Sequence, residues 1–201
     1  MDERGAVRQK ILENALNLFS AKGYEGVTVQ EITKASGITK PTLYYYFKSK
    51  IGLFDAVCQI HYSRLNTVIS ENSVYSPKPE VYFEDIFLTL AKVTNAYFSF
   101  SSANEAFLRI MLTNMSMPRS SILYAIIKKY HYRQFDIIET MFKDMAKAHG
   151  NLRGKSKNLS WSYIGTVTSY ISLFLSGMAK GALNEKSVKE LVHQFMHGIH
   201  A

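Results

Sequence analysis

Apolar residues recur along this chain at intervals of three and four, and no stretch shows the sustained alternation of a half-buried strand. Val7, Ile11, Ala15 and Phe19, joined by Leu12, Leu16 and Leu18, form a broad apolar face that predicts a helix from Gly5 to Lys22, ended by Gly23. Thr28 followed by Glu31 predicts the reciprocal cap of a short second helix; Ile32 and Ala35 form its buried side and Ser36-Gly37 stops it. Thr39 and Pro41 open a third, with Leu43 and Phe47 as its inward row. Ser49 can cap a long fourth helix to Asn72 that buries Leu53, Phe54, Val57, Ile60, Leu65, Val68 and Ile69. After a break at Ser73–Pro79, the pattern predicts helices over 81–98, 103–116, 120–147, 159–181 and 184–199. The expected class is all-α, with about nine helices.

Composition refines this picture in a few places. With 47% hydrophobic and 20% charged residues over 201 positions, a sizeable core is available. The net charge of +8 says less than its placement, since the chain up to Lys50 carries eight Lys/Arg against five Asp/Glu. No acid lies between Glu31 and Asp55, however, while Lys34, Lys40, Lys48 and Lys50 all do, so the local field is positive. Cys58, the only cysteine, rules out an internal disulfide and fits a reducing compartment. The N-terminal MDERGAVRQK has acids and no apolar run, so it does not resemble a secretory signal, and a cytoplasmic location is expected. Leu159–Ala179 has no charged side chain, yet its hydroxyls are too numerous for a lipid-facing span. No nucleophile–base pair, phosphate-cradling glycine loop or metalloprotease motif is evident, so neither an enzyme nor a cofactor is expected.

The outward set on the third helix points to a function. Lys40, Thr42, Tyr44, Tyr45, Tyr46 and Lys48 face away from Leu43 and Phe47. Three consecutive tyrosines add little to the stability of so short a helix. Flat rings with hydroxyls, beside lysines and a threonine, suit a helix laid in the major groove of DNA, where phosphate contacts fix position and base-edge contacts carry sequence information.

The same stretch closely resembles the helix-turn-helix of the TetR family of bacterial regulators. The resemblance rests on Gly23-Tyr24, Thr28, Ile32, Ala35-Ser36-Gly37-Ile38-Thr39, Pro41-Thr42-Leu43-Tyr44, Tyr46-Phe47, Ser49, Lys50 and Leu53. It covers roughly the first quarter of the chain and departs at Thr33, where the family usually has a small apolar residue. It implies a DNA-binding domain over 1–48, and an effector-binding and dimerisation domain over 49–201. It also implies that Thr28, Thr39, Tyr44, Tyr46 and Lys50 mainly meet phosphates while Lys40, Pro41, Thr42 and Tyr45 face base edges, with Lys48 beside them. Arg4, Arg8 and Lys10 read equally well as backbone contacts or as solvated charge.

Gly165, Ser169, Ser172 and Ser176 recur at helical spacing, a small-residue stripe along which another helix could approach. With Val192, Phe195 and Met196 on the last helix, they are the expected homodimer interface, a four-helix arrangement that the resemblance also implies. A dimer would set two recognition helices about 34 Å apart on a palindromic operator. The middle helices are rich in aromatic and sulfur side chains. Tyr97, Phe98, Phe107, Met111, Met115 and Tyr124, with Arg109 and Asn114 as polar anchors, are candidates for a pocket taking a small, largely apolar effector, as the resemblance implies. For any single one of them plain core packing is the commoner role. His193, His197 and His200 fall at i, i+4 and i+7, but no carboxylate or thiolate completes the set and no metal is expected. The expected function is a dimeric transcriptional regulator, a repressor released from its operator by an effector. A DNA-associated structural factor of the same fold is the rival.

Overall fold

The structure, a computed structural model, describes residues 3–78, 81, 84–115, 117–179, 181 and 183–198. Among them it has nine α-helices and no strand. These are α1 (Glu3–Lys22), α2 (Val29–Ser36), α3 (Lys40–Phe47), α4 (Lys50–Asn72), α5 (Glu84–Ala103), α6 (Glu105–Met115), α7 (Ile122–Ala148), α8 (Ser156–Leu175) and α9 (Glu185–His197). A 3-10 turn at Gly150–Leu152 falls within the polar connection between α7 and α8.

The ends of α5 and α8 depart most from those expected. Helix α5 runs on to Ala103 because Phe100 and Ser101 are buried and so extend its inward face; the Asn104 side chain then donates to the Phe100 carbonyl. Helix α8 starts at Ser156, inside the expected loop, and stops at Leu175, short of Gly181. In α2 the buried residues are Ile32, Thr33 and Ser36, while Ala35 is exposed. Thr33 enters the core because its hydroxyl is satisfied by the Gln30 carbonyl at 3.0 Å.

The backbone forms two compact units, Met1–Ser63 with Glu105–Tyr130, and Arg64–Asn104 with His131–Ala201. The boundaries fall at 63/64, 104/105 and 130/131, so α6 and the start of α7 belong with the N-terminal helices. The core of the first unit takes Ile11, Leu12, Ala15 and Phe19 from α1, with Ile32, Leu43 and Phe47 from the two short helices. Phe19, Tyr24 and Phe54 meet as a ring trio with centroids 5.2–5.6 Å apart. Helix α6 packs on α1, and its Phe107 is fully buried between the rings of His61 and Tyr62. The Tyr130 hydroxyl donates to Asp55 at 2.7 Å, tying α7 to α4 within this unit.

In the second unit α5 packs on α9 and on α8. Tyr163 is buried at its centre; its hydroxyl donates to the Leu90 carbonyl at 3.1 Å and lies 2.7 Å from the Thr94 hydroxyl. Its ring meets those of Phe142 and Phe195. A buried polar cluster holds the loop after α4 in place. Asp85 accepts from the Tyr75 hydroxyl at 2.6 Å and from the Lys78 N–H at 3.1 Å, and lies 3.1 Å from His149 Nε2. Burial pushes the Asp85 carboxyl up, but these hydrogen bonds together hold it below its ordinary value.

Candidate nucleic-acid interface

The surface around α3 is built by local hydrogen bonds that the sequence specifies. Thr28 caps α2 by accepting the Glu31 N–H at 3.2 Å, and Glu31 answers by accepting the Thr28 N–H at 2.8 Å. Gly37 closes α2 at φ +66°, a left-handed conformation that costs glycine nothing. The Thr39 hydroxyl then caps α3, with Pro41 in its first turn.

Lys22 makes a 2.7 Å ion pair with Glu31, and that bond, followed by those from the Thr28 N–H and hydroxyl, holds the Glu31 carboxyl down to about 2 from an ordinary 4.5. A depressed carboxylate stabilises the fold fully above its unfolded pKa and stops doing so as pH falls through its folded one. Acid should therefore loosen the start of α2 only between about pH 4.5 and 2. Amide exchange of Glu31 followed by NMR across that range checks this, and Glu31→Gln should remove the pH dependence.

Leu43 and Phe47 are buried as expected, and the opposite side of α3 is open. Tyr45 is 64% exposed and Tyr44 44%; Lys40, Pro41 and Lys48 are exposed with them, as are Thr28 and Thr39. Thr42 is half-buried, its hydroxyl 2.8 Å from that of Thr39. The face is thus cationic and aromatic, and the nearest acid in sequence, Glu31, is neutralised by its partners.

Two residues assigned to this face behave differently. Tyr46 is half-buried and its hydroxyl donates to the Arg4 carbonyl at 3.3 Å, so two outward tyrosines, not three, remain. Lys50, expected on phosphate, turns inward. Its ammonium donates to the carbonyls of Tyr24 at 2.8 Å and Val27 at 2.9 Å and lies 4.0 Å from the centre of the Tyr24 ring. The Tyr24 carbonyl also accepts the Val27 N–H at 3.3 Å, so the lysine at the start of α4 closes the end of the α1–α2 loop.

Lys48 carries a signal that the sequence did not announce. It sits at φ +64°, ψ −34°, and the Ser49 N–H bonds back to the Phe47 carbonyl at 2.7 Å, a tight γ-turn of the rare positive-φ kind. The turn aims the Phe47 carbonyl at Gly52, where a Cβ would collide with it. Such strain in a non-glycine residue costs on the order of 1 kcal/mol. Lys48→Gly should raise the melting temperature accordingly while weakening binding to every duplex alike, as paired thermal melts and binding titrations would show.

The residues expected at an effector pocket fall in both units. Tyr97 and Phe98 are buried in the second. In the first, Phe107 and Met111 are core, and Tyr124 is half-buried. Arg109, expected as an internal anchor, is instead exposed and paired with Glu105 at 3.8 Å, and Met115 is 37% exposed. Arg109 lies on the outer side of α6, opposite the buried Phe107, Leu108, Ile110, Met111 and Asn114, and Met115 is the last residue of the helix. Asn114 is buried, donating to its own helix at Ile110.

Of the expected dimer residues, Gly165, Ser169, Ser172 and Ser176 are exposed, and no atom lies where a Cβ on Gly165 would stand. Val192 is fully buried within the chain and cannot serve an interface; Phe195 and Met196 are half-buried, with Phe195 against Phe142 and Tyr163. Helix α9 spends its apolar row on its own unit, so its outward face is Glu185, Lys186, Lys189, Glu190, His193, Gln194 and His197. The rings of His193 and His197 are 4.7 Å apart; His200 lies outside the described residues. Among those residues, no helix is long and apolar enough to cross a membrane.

The family described as "Bacterial regulatory proteins, tetR family" matches residues 11–57, from the core of α1 through α3 into α4. Residues 11–57 thus carry the helix-turn-helix segment of the TetR family. It is 29% identical over 144 residues to the biofilm operon icaADBC negative transcriptional regulator IcaR of Staphylococcus aureus, covering 69% of this chain and 77% of that one. Among solved structures it resembles the regulator FadR from Bacillus subtilis in complex with stearoyl-CoA, at a TM-score of 0.77 and 17% identity over 96% and 99% of the two chains. It also resembles AibR in complex with isovaleryl coenzyme A and operator DNA, at 0.69 and 19% over 94% and 97%. These likenesses establish the fold.

Proposed function

We propose that this protein is a homodimeric TetR-family repressor that reads a palindromic operator with α3 and leaves it when a small, largely apolar effector binds. The observation that carries the DNA reading is the exposed Lys40–Pro41–Tyr44–Tyr45–Lys48 surface on a helix anchored from behind by Leu43 and Phe47. In this reading residues 1–48 are the DNA-binding part. Thr28, Thr39, Tyr44 and Lys48 hold phosphates and Lys40, Pro41, Thr42 and Tyr45 face base edges. Repression follows the role of IcaR.

Dimerisation through α8 is supported by its outward face, where Trp161 at 54% and Leu173 at 39% exposure flank the small-residue stripe. An effector is supported by three buried polar groups of the second unit, the Tyr97 hydroxyl, the Ser101 hydroxyl and the Gln134 amide nitrogen, which have no hydrogen-bond partner among the described residues. Buried polar groups are normally paired, and a guest with one or two polar atoms would pair these. Acyl-CoA thioesters, held by two proteins of the same fold, are the first class to test.

The experiment is a salt titration with operator and random duplexes. A repressor keeps a large specificity ratio, whereas a structural factor of the same fold does not. Tyr45→Ala should cost about 1–3 kcal/mol on the operator and flatten the preference. Equal loss on both duplexes would remove Tyr45 from base readout, and an acyl-CoA that tightened operator binding would contradict release.

A further inference from the structure

The second unit has a partly open cavity of about 170 Å³ that is lined by none of the residues expected at an effector pocket. Its walls are Leu90 of α5, Phe142 of α7, Leu159 of α8 and Phe195 and Met196 of α9. Among the described residues the polar groups that line it are His149, Asn151 and His197, with no carboxylate. His149 is 2% exposed and fixed from behind by Tyr75 at 2.8 Å and Asp85 at 3.1 Å. Asp85 has little left to offer a guest, because its oxygens already take the N–H groups of Ile86 and Lys78, the Tyr75 hydroxyl and His149. A cationic guest would therefore find no anionic partner. An acceptor head would find nitrogen donors at Asn151 and His197, both exposed at the rim.

A dry cavity of about 150 Å³ accepts a benzene-sized guest, so this one suits a body of about six to ten heavy atoms. We propose that the cavity binds a small apolar monocarboxylate, its hydrocarbon body among Phe142, Leu159 and Phe195 and its carboxylate at the Asn151–His197 rim. Three of the lining residues belong to α9, so occupancy is registered on that helix. The site stands apart from the operator reading and does not depend on it.

The test uses the full-length protein with phenylacetate, toluene and phenethylamine as probes and the Met196 methyl resonance as reporter. Phenylacetate should shift Met196 saturably at sub-millimolar to millimolar concentration, bind about tenfold tighter than toluene, and leave phenethylamine weakest. Leu159→Trp should fill the space and abolish the shift. His197→Ala, at an exposed position, should weaken phenylacetate several-fold and leave toluene unchanged. No saturable shift, a shift that survives Leu159→Trp, or phenethylamine binding as tightly as phenylacetate would each overturn the proposal.

Discussion

Phe107→Ala is expected to lower the unfolding free energy by about 3–5 kcal/mol, the usual cost of emptying a fully buried phenylalanine site. Phe107 has no exposed surface and lies 5.1 Å from the His61 ring, nearly parallel to it, and 5.0 Å from Tyr62 edge-on. These contacts join α6 to α4 inside the first unit, so their loss should reach the DNA-binding helices as well. Urea denaturation measures the cost. A loss under about 1 kcal/mol, with a specific fall in effector affinity, would return Phe107 to the pocket role that its sequence context suggests.

Lys50→Met should cost about 2 kcal/mol and leave the salt dependence of DNA binding nearly unchanged. The substitution keeps the apolar stem over Tyr24 but leaves the Tyr24 and Val27 carbonyls without their donor. Hydrogen bonds from a charged donor are worth more than neutral ones, and the half-buried setting of Lys50 reduces the loss only in part. A lysine on phosphate would behave in the opposite way: its removal would spare the melting temperature and flatten the salt slope by about one unit. Thermal melts and a salt titration on the same variant therefore separate the two roles. Lys50→Arg should recover part of the stability, because a guanidinium still donates but fits the paired carbonyls less well.

Both predictions concern residues whose partners are distant in sequence, and there the residue pattern was a poor guide. The helix-turn-helix was legible because it is made of short-range bonds. Thr28 with Glu31, Gly37 at positive φ, Thr39 with Thr42 and the Leu43–Phe47 row all act within four residues, and each appears as expected. The exposure of Gly165, Ser169, Ser172 and Ser176 was legible for the same reason, since one helical period fixes which residues share a face.

What the pattern misjudged was the destination of side chains that could serve either a neighbour or a partner. Val192 has the spacing of an interface residue, yet helices α5 and α8 pack against α9 and bury it. Tyr46 has the type of a groove residue, but α1 presents the Arg4 carbonyl to it. Arg109 belongs to a largely apolar helix, but its position around that helix turns it to solvent.

The order of the residues alone determined the all-helical class, the capped pair of short helices and the cationic, tyrosine-bearing face of α3, because each of these is decided by hydrogen bonds and periodicity a few positions long. Tertiary structure alone decided that Lys50 locks a loop, that Tyr75, Asp85 and His149 share one buried site, and that Phe107 is core. Those pairs are brought together from 10 to 74 positions apart, where no local rule acts and only the packed arrangement of helices chooses the partner.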